Sequence, residues 1–313
     1  MIQVGWQGWV FFTSAVILML TIDLGIFHRK SERVSVPAAL GWTAFWVALS
    51  LAFNAWIWHH YGRDKGMEFL AGYILEKSLS VDNLFIFLLI FSYFKVPPEF
   101  QHRVLFFGIL GALVLRGVFI SLGAAMVHRF HIVLYLFGAF LVYSGFKLML
   151  VDDDDDDQNP ENMIVRAVRK RVRLSKDFHG EKFFVIQEGV KYATPLFLVL
   201  IAVETSDVLF AVDSIPAIFG VTDDTFIVYT SNVMAILGLR ALYFALAGLL
   251  EFFHYLNYGL AVVLIFIGGE MLGKAYFDIG IGTELGVIAG ILLAAVVASV
   301  VFPKKIEKES DEE

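Results

Sequence analysis

The stretch from Tyr192 to Phe219, YATPLFLVLIAVETSDVLFAVDSIPAIF, is long enough to cross a bilayer, yet it carries Glu204, Asp207 and Asp213 in its middle. A carboxylate at the centre of a membrane helix costs about 2.5–3.5 kcal/mol on insertion scales, and each Leu, Ile, Phe or Val returns only about 0.3–0.6 kcal/mol. Acids persist at such depth where they bind something, or where they lock a bundle by pairing with basic residues. Pro216 favours the first reading. It has no N–H for the carbonyl of Val212 and is expected to bend the helix open there. A freed carbonyl beside carboxylates is an oxygen-rich place, and irregular backbone at this depth is tolerated where it lines a cavity.

The rest of the chain is built for the same environment. Of its 313 residues 58% are hydrophobic and 18% charged, with a mean hydropathy of +0.72; soluble domains are about 45–50% apolar. Apolar blocks of about 20 residues fall near 6–27, 37–58, 66–94, 104–127, 132–150, 192–219, 226–250, 257–273 and 284–302. They predict an all-α polytopic membrane protein of nine transmembrane helices, with the lipid bilayer as its first partner. The net charge of −7 owes much to Asp152–Asp157 and the acidic tail, so no nucleic-acid partner is expected. With no cysteine, disulfides, thiolate ligands and thiol redox chemistry are excluded for these residues. The first apolar run has no basic flank before it and is too long for a cleaved signal, so it reads as a signal anchor. Arg29, Lys30 and Arg33 place the first loop in the cytoplasm. The N-terminus is then outside, and the 151–191 linker and Lys304, Lys305 and Lys308 are inside.

An internal repeat is visible. Asp82-Asn83-Leu84-Phe85 is echoed by Asp207-Val208-Leu209-Phe210, 125 positions on; Leu115-Arg116 by Leu239-Arg240, 124 on; and His131 and Gly145 by His254 and Gly268, 123 on. So small a drift over three helices points to duplication. Three helices is an odd number, so the units, helices 3–5 and 6–8, must lie inverted. That plan is common in transporters, with the site near the midplane where the repeats meet. The expected organisation is 1–65 for two leading helices, 66–150 for the first repeat and 151–191 for a cytoplasmic linker. Residues 192–275 form the second repeat, and 276–313 the last helix and a charged tail. Within the linker, Ile164, Val168 and Val172 against Arg166, Arg169, Lys170 and Arg173 predict an amphipathic helix over 163–176 lying on the anionic inner leaflet. Residues 183–193 around Glu188-Gly189 predict a hairpin.

Outside the sixth block, the charges within apolar blocks are Asp23, Glu76, Lys77, Asp82, Arg116 and Arg240, and the third block adds Asn83. All candidate ligands are oxygens, a set suited to Mg²⁺, Ca²⁺ or Mn²⁺ rather than zinc or copper. The expected site combines Asp82, Asn83 and Asp207 with Glu76, with Glu204 one turn from Asp207, and with Asp23 from the first helix. Asp213 lies about 9 Å beyond Asp207 along an unbroken helix and well around it. It joins the site only if the helix opens before Pro216, and otherwise serves a separate role such as pairing with an arginine. Arg116 and Arg240 are expected as counter-charges or gates, each touching a core carboxylate, with Asp213 and Glu76 the first partners to examine. Gathered carboxylates raise one another's proton affinity, so cation and protons should compete and proton coupling is expected. Paired membrane aspartates could also serve an intramembrane protease, but the Gly-x-Gly-Asp pattern of that class is absent. An enzyme is not expected, nor a resident cofactor.

Three stretches carry a family resemblance: Glu76-Lys77-Ser78-Leu79-Ser80-Val81-Asp82-Asn83, Tyr192-Ala193-Thr194-Pro195, and Glu204-Thr205-Ser206-Asp207-Val208-Leu209-Phe210-Ala211-Val212-Asp213-Ser214-Ile215-Pro216. Thr230-Ser231-Asn232 and Ile236–Ala241 fit as well. They resemble the TerC family of integral membrane proteins, especially its Alx-like branch, over nearly the whole chain except the linker and tail. The resemblance implies an inverted-repeat exporter in a bacterial inner membrane. It selects Mn²⁺, as transported substrate, from the hard cations that the residues leave open. The family's link to tellurium resistance implies the other expectation, a non-transporting membrane-assembly partner.

Overall fold

The computed structural model of the protein describes residues 2, 4–27, 36–130, 132–150, 163–246, 255–274 and 279–301, with the side chains of 23–27, 82, 163 and 246 outside that description. The loop bearing Arg29, Lys30 and Arg33, the Asp152–Asp157 run, His131, His254 and the lysines of the tail therefore lie outside the described residues. So do the side chains of Asp23 and Asp82.

In chain order the helices are α1 (Trp6–Phe27), α2 (Val36–Tyr61), α3 (Arg63–Tyr93), α4 (Pro98–Arg129), α5 (Ile132–Leu150) and α6 (Met163–Arg171). Strands β1 (Phe184–Gln187) and β2 (Val190–Ala193) follow, then α7 (Pro195–Val221), α8 (Thr225–Ile236), α9 (Leu239–Leu246), α10 (Leu256–Gly273) and α11 (Ile281–Val301). Local chemistry sets several boundaries. Pro98 and Pro195 open α4 and α7 at the first turn, where the missing N–H has no partner to lose. Asp224 caps α8 by accepting from the N–H groups of Phe226 and Ile227.

The protein is an all-α polytopic membrane protein. Among the described residues seven helical segments are long and apolar enough to span a bilayer: α2, α4, α5, α7, α8 with α9, α10 and α11. The described apolar part of α1, Trp6–Ile22, is shorter, and α3 carries Glu76, Lys77 and Asp82 in its middle. The outside is apolar in the way lipid demands, with Phe11 77% and Leu136 62% exposed. The charged groups are inside instead: Glu76 and Asn232 are fully buried, Arg116 is 2% and Asp207 4% exposed.

Packing brings α3 against α7, α8, α2 and α11, and sets α4 on α7 and α5 on α10. Glycines allow the α5–α10 approach. A Cβ on Gly268 would stand 2.6 Å from the Gly138 carbonyl, and one on Gly145 would stand 2.7 Å from the Ala261 carbonyl. Small residues at a crossing are the usual way for membrane helices to gain contact, since lipid supplies no hydrophobic drive between them.

Four expectations need correction. α7 runs helical through Pro216 to Val221, so the helix does not open there. The break falls instead in the seventh block, between α8 and α9 at Gly238. Its φ of +82° and its contact with Trp46, 2.6 Å from where a Cβ would sit, both require glycine. The sixth block begins at Pro195 rather than Tyr192, because Tyr192 and Ala193 pair with Val185 and Phe184 in the hairpin. Finally, α6 ends at Arg171 and packs on α7, with Val165 fully buried and Val168 against the core. Of the predicted apolar stripe, Ile164 is exposed while Val168 rests on the core, beside a fully buried Val165. The hairpin itself is as expected, turned by Glu188 and Gly189 at φ +52° and +79°, the two left-handed residues of a type I′ turn.

Candidate functional site

Glu76 lies near the middle of α3, Arg116 inside α4, and Asp207 near the middle of α7. Because α3 and α4 both pack on α7, the three side chains meet inside the bundle. Arg116 is the hub. Its Nη2 donates to Asp207 Oδ1 at 3.1 Å and its Nε to Oδ2 at 3.4 Å, the two-pronged geometry that suits a guanidinium. Nη1 donates to Glu76 Oε1, with Ser214 Oγ and Asn232 Oδ1 also in reach at 3.4 Å. Asn232 of α8 completes the ring by donating from Nδ2 to Glu76 Oε2 at 2.9 Å. Two carboxylates and one guanidinium leave the ionised cluster with one excess negative charge.

For Arg116 the expectation of a carboxylate partner is met at Glu76 but not at Asp213. Asp213 accepts from Ser144 Oγ of α5 at 2.9 Å, away from Arg116, as follows from a helix left unbroken between Asp207 and Pro216. Glu204 shares the Asp207 face, half-buried, with its carboxylate pressed against Gly111 of α4. A Cβ at that glycine would collide with it, and Glu204 Oε2 is buried with no hydrogen-bond partner. Asn83, two turns along α3 from Glu76, is 1% exposed, and its Oδ1 has no donor. Arg240, at the start of α9, is 2% exposed. The structure thus unites Glu76, Arg116 and Asp207, sets Glu204 and Asn83 nearby on the same helices, and leaves Asp213 apart. Among the described residues no three acids or histidines already stand close enough to share a metal ion.

Sequence reasoning missed Asn232 and Ser214 as members of the cluster. A polar amide inside an apolar block was the available signal for Asn232. Lys77 was seen as a buried charge, but its role was not. Its Nζ donates to the Ala235 carbonyl at 3.1 Å, one of the carbonyls at the end of α8. A cation there satisfies the helix end and its dipole. Ser50 Oγ reaches the neighbouring Met234 carbonyl at 3.4 Å. The broken helix is capped from α3 and α2.

Comparison with known proteins agrees with this picture of a membrane protein. A family model described as the integral membrane protein TerC family matches residues 61–308. An uncharacterized membrane protein of Myxococcus xanthus is 49% identical over 301 residues, covering 96% of this chain and 94% of the relative. A protein of Escherichia coli K12 named putative membrane-bound redox modulator Alx is 48% identical over 294 residues, 91% of each chain. An uncharacterized membrane protein of Rickettsia bellii is 38% identical over 304 residues, 97% of this chain and all of the relative. No solved structure matches. The matched span takes in α3 and every later helix, including all the residues of the Arg116 cluster, and the chain belongs to the TerC family of integral membrane proteins.

Proposed function

We propose that the protein is a transporter that exports a hard divalent cation, Mn²⁺ by family resemblance, through its buried carboxylates by alternating access. The observation that carries this reading is the Glu76–Arg116–Asp207–Asn232 ring, an ion-pair cluster inside a membrane bundle with excess negative charge. Intramembrane ionisable groups are rare and mark ion pathways. The buried oxygens of Asn83 and Glu204, which lack donors, enlarge the set that a hard cation would take. Asp82 belongs to this site as the repeat partner of Asp207, and Asp23 as a contributor from α1. Asp213, bonded to Ser144, would serve another step.

Arg116 defines the resting state of such a site. Its guanidinium sits where a cation would sit between Glu76 and Asp207, so capture of a metal requires the arginine to yield at least one carboxylate. Protons compete for the same oxygens, which favours cation–proton exchange with release to the outside.

The inverted repeat finds support in the α5–α10 crossing. With an offset of 123, Gly138 corresponds to Ala261 and Gly145 to Gly268. A two-fold axis then exchanges the Gly138–Gly268 approach with the Gly145–Ala261 approach, and both are present. Likewise α3 packs on α8, and α7 on α4. Two units able to rock about such an axis are what alternating access needs. Nine crossings with the N-terminus outside and the C-terminus in the cytoplasm of a bacterial inner membrane complete the reading.

A redox-modulating role, the one named for the Escherichia coli relative, would not run through thiols of this chain, which has no cysteine. The test is flux by the purified protein in liposomes, with Mn²⁺ set against Ca²⁺, Mg²⁺ and Zn²⁺. Movement of Mn²⁺ above protein-free liposomes is expected. No movement of any of the four ions, from protein shown to be folded and inserted, would favour the non-transporting partner.

A further inference from the structure

The outer side of α4 is a stripe of exposed apolar residues, Phe107, Leu110, Val114, Val118 and Leu122, about one helical turn apart. Toward the end where α4 begins, the stripe continues onto the linker. The Phe183 ring stands edge-on to Phe107 with centroids 5.3 Å apart, and the Arg103 guanidinium lies 5.8 and 5.4 Å from the centres of Phe107 and Phe183. Arg103 also donates to Glu181 at 3.1 Å, which fixes the chain as it enters β1. Phe184, the next residue, packs against Phe197 in the first turn of α7 with centroids 4.7 Å apart. The β1–β2 hairpin is thereby held across two membrane-spanning helices, near the start of each.

One face of the hairpin is left uncovered there. Side chains alternate along a strand, so Phe184 and Ile186 share a face, and the register sets Lys191 opposite Ile186. Phe184 is 41% and Ile186 75% exposed, and Lys191 Nζ lies 4.5 Å from the centre of the Phe184 ring. The segment that follows α6 runs beside β2. Its Ser175 N–H donates to the Ala193 carbonyl at 2.9 Å, and the Ala193 N–H donates to the Arg173 carbonyl at 2.8 Å. Arg166, Arg169, Lys170, Arg171, Arg173 and Lys176 are all exposed, and no acid stands between the first and the last. An exposed apolar pair that continues a lipid-facing stripe calls for acyl chains, and the cations tied to it call for phosphate. Together they select an anionic lipid surface.

We propose that the β1–β2 hairpin and the basic segment from Arg166 to Lys176 form a docking surface for anionic phospholipid. Phe184 and Ile186 enter the leaflet beside α4, and the cations hold the headgroup phosphates around them. The inference goes beyond the transport reading and does not depend on it. It places the leaflet contact on the hairpin rather than on the apolar stripe of α6, and leaves α6 to supply charge. β2 runs through Thr194 directly into Pro195, so a lipid held here bears on the first turn of α7, the helix that carries Asp207. Each cation near an anionic surface is worth about fivefold in affinity, and salt screens that attraction.

The chain has no cysteine, so Ile186→Cys gives the full-length protein a single attachment point for a nitrobenzoxadiazole fluorophore. The labelled protein is reconstituted into vesicles of equal parts phosphatidylglycerol and phosphatidylcholine, with a doxyl quencher on one lipid or the other. Both should quench, doxyl-phosphatidylglycerol about twofold or more above doxyl-phosphatidylcholine, with the excess shrinking in high salt. Lys170→Gln/Arg171→Gln/Arg173→Gln/Lys176→Gln should bring the two to equality while quenching by doxyl-phosphatidylcholine persists. Quenching by neither lipid, the result if the hairpin faces water or a protein partner, would overturn the proposal. So would equal quenching with the basic residues intact, or a preference that the four substitutions leave unchanged. A preference for phosphatidylglycerol that arises only after Asp152–Asp157 are changed to Asn would make that run the occupant of the cations, and would overturn it as well.

Discussion

Replacing Arg116 with Met separates the electrostatic role of the guanidinium from its volume. Arg116 is 2% exposed, and its partners Glu76 and Asp207 are 0% and 4% exposed, so no water is at hand to replace it. The substitution removes the donations to Glu76 Oε1 and to both Asp207 oxygens, and leaves two buried carboxylates facing each other. Breaking a buried pair from one side costs about 3–5 kcal/mol, because the remaining charge is uncompensated. At ~2 °C per kcal/mol, the low end of the scale for a chain of this length, the expected fall in Tm is about 6–10 °C. Thermal unfolding in detergent, followed by tryptophan fluorescence, would read it. Adding Glu76→Gln removes one of the stranded charges, so the double variant should be more stable than the sum of the two single losses, by about 0.5–3 kcal/mol. Mn²⁺ at a hundredfold excess over its Kd should restore about 2.7 kcal/mol to Arg116→Met, since the metal then takes the place the guanidinium left. An Arg116→Met protein that melts with the wild type, or that Mn²⁺ does not stabilise, would refute the view of Arg116 as a tethered stand-in for the cation.

Other outcomes follow from the packing. Gly268→Ala should force α5 and α10 apart, because its Cβ meets the Gly138 carbonyl at 2.6 Å. Overpacking of this kind costs about 1–3 kcal/mol, read as a lowered Tm, and an unchanged Tm would show that the crossing is looser than described. Gly111→Ala should drive the Glu204 carboxylate from its place. The resulting loss of stability should be relieved in Gly111→Ala/Glu204→Ala, and the absence of relief would separate the two residues. Cysteines introduced at Asn159 and Ser310 should react with an impermeant reagent only from the cytoplasmic side. Labelling from outside intact cells would reverse the proposed topology.

How much of this was legible in the sequence depended on whether a feature was local. Seven of the nine expected spans coincide with apolar helical segments among the described residues, because hydrophobic length is local, and Glu76, Asp207 and Arg116 stand out because charges inside apolar blocks are conspicuous one residue at a time. The hairpin was legible from Glu188-Gly189. Choosing Asp207 rather than Asp213 as the second partner of Arg116 was not, because it depends on the rotation of α4 against α7, which packing decides. The same holds for α6, where only packing shows that Val165, outside the stripe of Ile164, Val168 and Val172, is the residue covered by the bundle. Pro216 misled because a proline weakens the helix without obliging it to open when the surrounding helices hold it. Gly238 was passed over because one glycine in an apolar block does not reveal that Trp46 lies against it. Asn232 stands in the sequence only as one polar amide of a family-like motif, and its bond to Glu76 spans 156 positions, a distance over which sequence pattern carries no geometric information.

The most direct measurement of the central claim is Mn²⁺ flux into sealed liposomes by the wild type, Asp82→Asn and Asp207→Asn at equal incorporation. The exchange of a carboxylate for an amide keeps shape and removes charge. Both single variants should insert and retain their helix content, yet move no Mn²⁺ above protein-free liposomes while the wild type does. Transport retained in both variants would contradict the claim that the buried carboxylates carry the ion.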